Sequence, residues 1–386
     1  MSSSEPPLSL TRAERLTLAR LFISTFCELN AVLMLMPLMT LRLAARGEAA
    51  WIIGLFGAAL YGAIFLVTPF AAAFTRRAGL RATYALSGSA PLLAVATIAV
   101  TARLDAWFLA AAVLGCFGGL RWVTAEAFVA EVAPAARRGL VIGAFETMVG
   151  ACFVTGPLLV SATGITGMLP LLLSGALLLA GLACLFGLPA LATHGEDRSQ
   201  AAFLRLARER PVLLVAALIG GMLESAPATF LPVAGLAAGL SVAAAAGLVA
   251  TLGVGGFVCQ VPVGYLADRR PLHGLLRACL WSVLLGGLLA WPAARWPGLL
   301  WPVALLWGAA TGGLYTLAMI TIGHAYSGVA LVGATAALVF AYSAGGALGP
   351  ALAGLAVELA PGWGFAALFC LIACVGLLSF RTPRAP

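Results

Sequence analysis

Glu28, Arg121, Glu126, Glu146 and Glu224 each stand inside a long apolar run of a 386-residue chain. The stretch 118–131, GGLRWVTAEAFVAE, puts an arginine and two glutamates among residues otherwise suited to hydrocarbon. An ionisable group at membrane depth costs several kcal/mol unless it is paired, hydrated or neutralised. A carboxyl group in a partly dry cavity can take up and release a proton. An arginine there offers a planar fork to a carboxylate or another anion. Arg121 and Glu126 are five residues apart, about 140° round a helix, so they are poor partners for each other. An acid on another helix is expected to compensate Arg121, with Glu28 the leading candidate. Trp122, Glu126 and Glu146 join the candidates for substrate or proton coupling, although Glu126 and Glu146 also suit ion pairs with nearby arginines such as Arg137 or Arg138, and Trp122 also suits packing. Glu28 lies twelve residues into the first apolar run and Glu224 thirteen into the seventh, so each sits near the middle of a span.

The runs that carry these residues dominate the composition. Hydrophobic residues make up 62% of the chain and charged residues 9%, against about 25% charged in a soluble protein. So few charges cannot cover a water-exposed surface, and no stretch is left for a separate soluble domain. Twelve runs reach the length of about 20 residues that a span requires: 16–40, 50–74, 81–102, 105–130, 139–161, 167–190, 211–238, 242–267, 273–293, 298–322, 329–356 and 361–380. The net charge of +8 comes entirely from arginines gathered between these runs, a pattern of membrane topology rather than of nucleic-acid binding. With the N-terminus inside, Arg42, Arg46, Arg103 and Arg295 fall outside, Arg121 lies within a span, and the other seventeen fall on the cytoplasmic side. Both termini are therefore expected in the cytoplasm. The N-terminal segment has arginines before its apolar run and no cleavage site, so this run is expected to remain as the first span.

The chain repeats itself. GAIFLVTPFAAAFTRR (62–77) aligns without a gap with GGFVCQVPVGYLADRR (255–270), an offset of 193, and Gly156-Pro157 and Gly349-Pro350 keep the same offset. Gly118-Gly119 and Gly312-Gly313 are 194 apart. Two six-span halves in the same orientation follow, 1–190 and 211–386, joined by a polar cytoplasmic linker at 191–210. Such parallel repeats describe a class of transporters that bind solute near the midplane between the halves.

The residues at these positions resemble the major facilitator superfamily over the whole chain. GYLADRR (264–270) resembles its cytoplasmic motif A, with Gly264, Asp268 and Arg269 in the matching places. The motif usually stands between spans two and three, where this chain reads AAAFTRRAGLR with Thr75 opposite Asp268. Gly156-Pro157 resembles part of the antiporter motif of span five, and Arg121 the arginine of motif B in span four. GGLRW, the AP-x-x-RRG of 133–139 and GAFET (143–147) are similar to a YcaD-like bacterial branch. The resemblance implies a monomeric transporter of a bacterial inner membrane, all-α, with spans one, four, seven and ten around a central cavity. Glu28, Arg121, Glu224 and Tyr315 would then share it, Tyr315 following Gly312-Gly313 as Arg121 follows Gly118-Gly119. Asp268, Arg269 and Gly264, with Gly156 and Pro157, would serve gating.

Alternating access driven by a proton gradient is therefore expected, with export of a small organic solute first and uptake second, and with Glu28 and Glu224 carrying the proton. No GxxxxGK[ST] provides a nucleotide site. An enzyme is not expected, since there is no HExxH, no GxSxG and no histidine pair. No cofactor or resident metal is implied. The remaining alternative is Cu(I) import, suggested by Met34, Met36 and Met39, by Met148 with Cys152, and by Cys370 with Cys374, whose sulfurs suit a soft ion.

Overall fold

A computed structural model describes residues 12–133, 138–185, 206–267, 269–326 and 328–380. Among the described residues the architecture is all-helical, with α1 (Arg12–Ala45), α2 (Ala50–Ala78), α3 (Leu80–Val100), α4 (Leu104–Val132), α5 (Arg138–Thr163) and α6 (Leu169–Ala183). There follow α7 (Pro211–Ala237), α8 (Val242–Ala267), α9 (Leu272–Ala290), α10 (Leu300–Ala325), α11 (Gly328–Leu359) and α12 (Gly364–Ser379). Ten of these are long and apolar enough to cross a membrane; α6 and α12, at 15 and 16 residues, are shorter apolar helices. Most of the expected linker lies outside the described residues, as does Asp268.

Glycine and proline, which break helices in water, sit inside these helices because hydrocarbon offers the backbone no competing partner. Pro69, Pro91, Pro157, Pro262 and Pro350 all lie within helices. The turns are cut by glycine instead. Gly47 between α1 and α2 has φ 74° and Gly239 between α7 and α8 has φ 85°, values that a side chain would strain.

Helices α1 and α7 are the most deeply buried, over 61% and 67% of their most apolar stretches. Around α1 pack α4, α5 and α6; around α7 pack α8, α10 and α11. The internal repeat appears as repeated packing. A Cβ on Gly156 would stand 2.8 Å from Leu33 of α1, and one on Gly349 would stand 2.9 Å from the Met222 Cα of α7. So α5 closes on α1 as α11 closes on α7, because the missing side chains let backbones approach.

The two helix sets meet along α2–α11 and α5–α8. The seam is tightest at the distal end of the bundle, opposite Arg12 and Ser379. There a Cβ on Gly57 would lie 2.9 Å from Pro350, and one on Gly354 3.0 Å from the Gly54 Cα. The Ala50 amide at the start of α2 donates to Glu358 Oε2 at 3.1 Å, and Ser161 Oγ on α5 donates to the Ala243 carbonyl of α8 at 2.9 Å.

Candidate functional site

Arg121 is buried in α4 at 4% exposure, and Glu28 of α1 is buried equally at 4%. Arg121 Nε lies 2.5 Å from Glu28 Oε2. The approach is off the N–H axis, so this contact is an ion pair rather than a linear hydrogen bond. The two terminal nitrogens make the directed bonds. Nη1 donates to the Tyr84 carbonyl at 2.9 Å, and Nη2 donates to Ser24 Oγ at 2.7 Å. The guanidinium carbon stands 3.3 Å from the centroid of the Tyr84 ring. Tyr84 is itself fixed, its hydroxyl 2.5 Å from Thr25 Oγ1 and its ring edge-on to Phe128. Ser24 Oγ donates onward to the Gly181 carbonyl of α6 at 2.8 Å. Arg121 therefore ties α4 to α1 and α3, each terminal nitrogen holding a directed bond and Nε facing the Glu28 carboxylate as an ion pair. This is how a permanent cation is tolerated away from water.

A cavity of about 60 Å³ lies beside this pair, between α1, α4 and α5, with Glu28, Arg121, Trp122, Phe145 and Glu146 on its wall. Trp122 and Glu146 are both exposed. The side chain of Glu126 lies outside the described residues. Asn30, two residues further along α1, donates to Cys152 Sγ at 3.2 Å and accepts from Thr155 Oγ1 at 2.6 Å, pinning α1 to α5.

The second carboxylate has different surroundings. Glu224 on α7 is half-buried, and the Tyr342 hydroxyl of α11 donates to its Oε2 at 2.5 Å. Among the described residues no arginine pairs with it. Tyr315 of α10 packs on Tyr342 with ring centroids 4.8 Å apart. Tyr61 of α2 packs on α11 at Gly346, four residues beyond Tyr342. Glycines seat these rings: a Cβ on Gly346 would stand 2.9 Å from Tyr61, and one on Gly220 3.3 Å from Tyr342.

The predicted set thus divides. Glu28, Arg121, Trp122 and Glu146 share one location, while Glu224 and Tyr315 share another. Tyr315 packs on Tyr342 of its own half. Sequence reasoning missed Tyr84, Ser24, Tyr61 and Tyr342. A usable signal was present, since the chain has only six tyrosines and four of them stand around the two buried carboxylates. A larger cavity of about 260 Å³ opens between the ends of α7, α8, α9 and α10, where Arg210, Thr321 and His324 line it. None of the predicted site residues borders it. The copper candidates Met34, Met36 and Met39 are buried in the apolar core, and no group of three or more His, Cys, Asp or Glu gathers among the described residues.

Residues 21–280 match the family profile described as Major Facilitator Superfamily. The chain belongs to the major facilitator superfamily. Over 262 residues it is 27% identical to a Bacillus subtilis (strain 168) protein described as an uncharacterized MFS-type transporter, YfkF. That match spans 66% of this chain and 66% of the relative's length, just under two thirds. Solved structures of the facilitator fold superpose over nearly the whole chain. The nucleoside transporter NupG does so with a TM-score of 0.75 at 14% identity, covering 96% of this chain and 98% of its own. A D-xylose–proton symporter gives 0.74 at 12% identity, covering 95% and 96%. A bacterial homolog of the human lysosomal transporter Spinster, inward-facing and unoccupied, gives 0.72 at 14%, covering 98% and 100%.

Of the residues expected to serve gating, Arg269, Gly264, Gly156 and Pro157 are described. Arg269 folds back on its own helix, donating from Nη1 to the Tyr265 carbonyl at 3.1 Å and lying 3.6 Å over the Tyr265 ring. Gly264 has open space where a side chain would be, whereas Gly156, followed by Pro157, sits in the α1–α5 contact. The exposed Arg103–Asp105 pair, 2.7 Å apart, stands at the start of α4, where Asp105 Oδ1 accepts from the Ala106 amide.

Proposed function

We propose that this facilitator is a proton-coupled exporter of a small organic solute, with Glu224 as the carboxylate that alternates between proton and solute. The observation that carries this reading is the inequality of the two buried acids. Glu28 faces a permanent cation at 2.5 Å, so its charge is already answered. Glu224 has a tyrosine hydroxyl and a partly open face, and its charge must be answered by something that comes and goes. Export rather than uptake is favoured by Gly156-Pro157 on α5, which resembles the antiporter motif. Uptake remains the second reading.

The remaining parts follow the same account. Residues 1–190 and 211–386 rock against one another across the 191–210 linker, in a bacterial inner membrane, as a monomer with both termini in the cytoplasm. The distal seam of α2–α11 and α5–α8 is then the extracytoplasmic gate, closed here, and Glu28–Arg121 is a fixed strut that keeps α1, α3 and α4 moving together.

The test uses purified protein in proteoliposomes with an imposed pH gradient and a panel of neutral, anionic and cationic solutes. Flux of at least one class should follow the gradient. It should stop when Ser161→Cys and Ala243→Cys are cross-linked across the α5–α8 seam. Absence of flux for every class, or flux that the cross-link leaves unchanged, would overturn the reading.

A further inference from the structure

We infer that the solute taken at Glu224 is an organic cation, captured between that carboxylate and the rings of Tyr61, Tyr315 and Tyr342. This deepens the proposed function and rests on it. The site presents one anionic group, no arginine among the described residues, the packed rings of Tyr342 and Tyr315, and Tyr61 seated on Gly346 one turn along α11 from Tyr342. The face of an aromatic ring attracts a cation through its quadrupole, and the attraction grows when water is excluded. A neutral polar solute would leave the Glu224 charge uncompensated in a largely apolar setting, and an anion would be repelled by it. An ammonium or quaternary nitrogen satisfies the carboxylate and rings together. The rings are seated by built-in gaps rather than laid loosely on the wall, since Gly346 and Gly220 leave the space that Tyr61 and Tyr342 occupy.

The arrangement also couples binding to the gate. Tyr61 comes from α2, whereas Glu224, Tyr315 and Tyr342 come from α7, α10 and α11. The aromatic enclosure is complete only while α2 is docked on α11 along the seam that holds Gly57 against Pro350. Opening that seam withdraws one wall and weakens the hold on the cation on the side to which the site then opens.

Binding to the intact protein in detergent decides the matter. The probes are tetramethylammonium, choline and tetraphenylphosphonium, with 3,3-dimethylbutan-1-ol as the uncharged isostere of choline. At least one cation should bind saturably and the isostere should not. Glu224→Gln should weaken that cation about tenfold or more, and Tyr315→Leu should weaken it about threefold to thirtyfold, while Tyr315→Phe, which keeps the ring, stays near wild type. No saturable cation binding, equal binding of the isostere, or indifference to Glu224→Gln would overturn the inference. Neutral-solute flux in the proteoliposomes without cation binding would sink this inference alone. Cation binding without any flux would sink the transport reading and leave the site standing.

Discussion

Replacing Arg121 by alanine strands Glu28 inside the bundle, and the cost can be worked from the contacts. Removing one partner of a buried ion pair costs about 3–5 kcal/mol, because the other charge is left without an answer. The two directed bonds, to the Tyr84 carbonyl at 2.9 Å and to Ser24 Oγ at 2.7 Å, are lost as well. Hydrogen bonds to a charged group contribute about 1.5–3 kcal/mol each. Glu28 can relieve part of its penalty by taking a proton, so the expected loss for Arg121→Ala is about 4 kcal/mol, inside the buried-pair range. Glu28→Gln alone leaves the arginine its carbonyl, its hydroxyl and the ring, and should cost about 2 kcal/mol. If the pair interacts as the geometry indicates, the double variant should be less damaged than the sum of the singles by about 2 kcal/mol. Reversible unfolding in mixed micelles with a rising fraction of denaturing detergent gives the three free energies. Additivity to within about 0.5 kcal/mol would show that the two groups do not couple, and the strut would have to be abandoned.

Three further outcomes follow from the seam and the second acid. Gly54→Leu should jam the α2–α11 contact open, since even a Cβ there would stand 2.9 Å from the Gly354 Cα. Thr229→Cys, buried under that seam in a background without native cysteines, should then become reactive to a membrane-impermeant maleimide, and unchanged protection would refute it. Glu358→Ala removes the acceptor at the start of α2, worth about 0.5–1 kcal/mol for a helix terminus, so oxidative cross-linking of Ser161→Cys to Ala243→Cys should slow about twofold to fivefold. Tyr342→Phe deletes the hydroxyl that donates to Glu224 and should lower initial rates of gradient-driven flux about tenfold, the equivalent of a charged hydrogen bond; rates equal to wild type would remove Tyr342 from the site.

Most of the architecture was readable because a membrane span is a composition before it is a structure. Runs of apolar residues, arginine asymmetry and the 193-residue offset each report one physical constraint. Pairing of Arg121 with Glu28 followed from energetics, as an arginine at that depth needs an acid and none stood one turn away on its own helix. What was not readable came from side chains that approach across helices. Tyr84 reaches Arg121 from α3, a helix given no role in the cavity, and its contribution is a ring face and a backbone carbonyl, neither of which leaves a spacing pattern. Tyr342 reaches Glu224 and Tyr61 docks on α11 beside it because Gly220 and Gly346 leave room for their rings, a fact of interhelical distance. The repeat paired Arg121 with Tyr315 in sequence, but their immediate neighbours, Glu28 with Tyr84 in one case and Tyr342 in the other, left no sequence signal. Motif likeness at 264–270 likewise fixed where Arg269 lies along the chain but not that it would turn back on Tyr265.

The central claim is that Glu224, and not the paired Glu28, exchanges proton for solute. The direct measurement is solute accumulation against exchange in proteoliposomes carrying Glu224→Gln, with an imposed pH gradient and then with solute gradients alone. The account predicts that gradient-driven accumulation disappears while the protein remains folded and inserted and its Glu28–Arg121 pair undisturbed. Accumulation at the wild-type level in Glu224→Gln would contradict it.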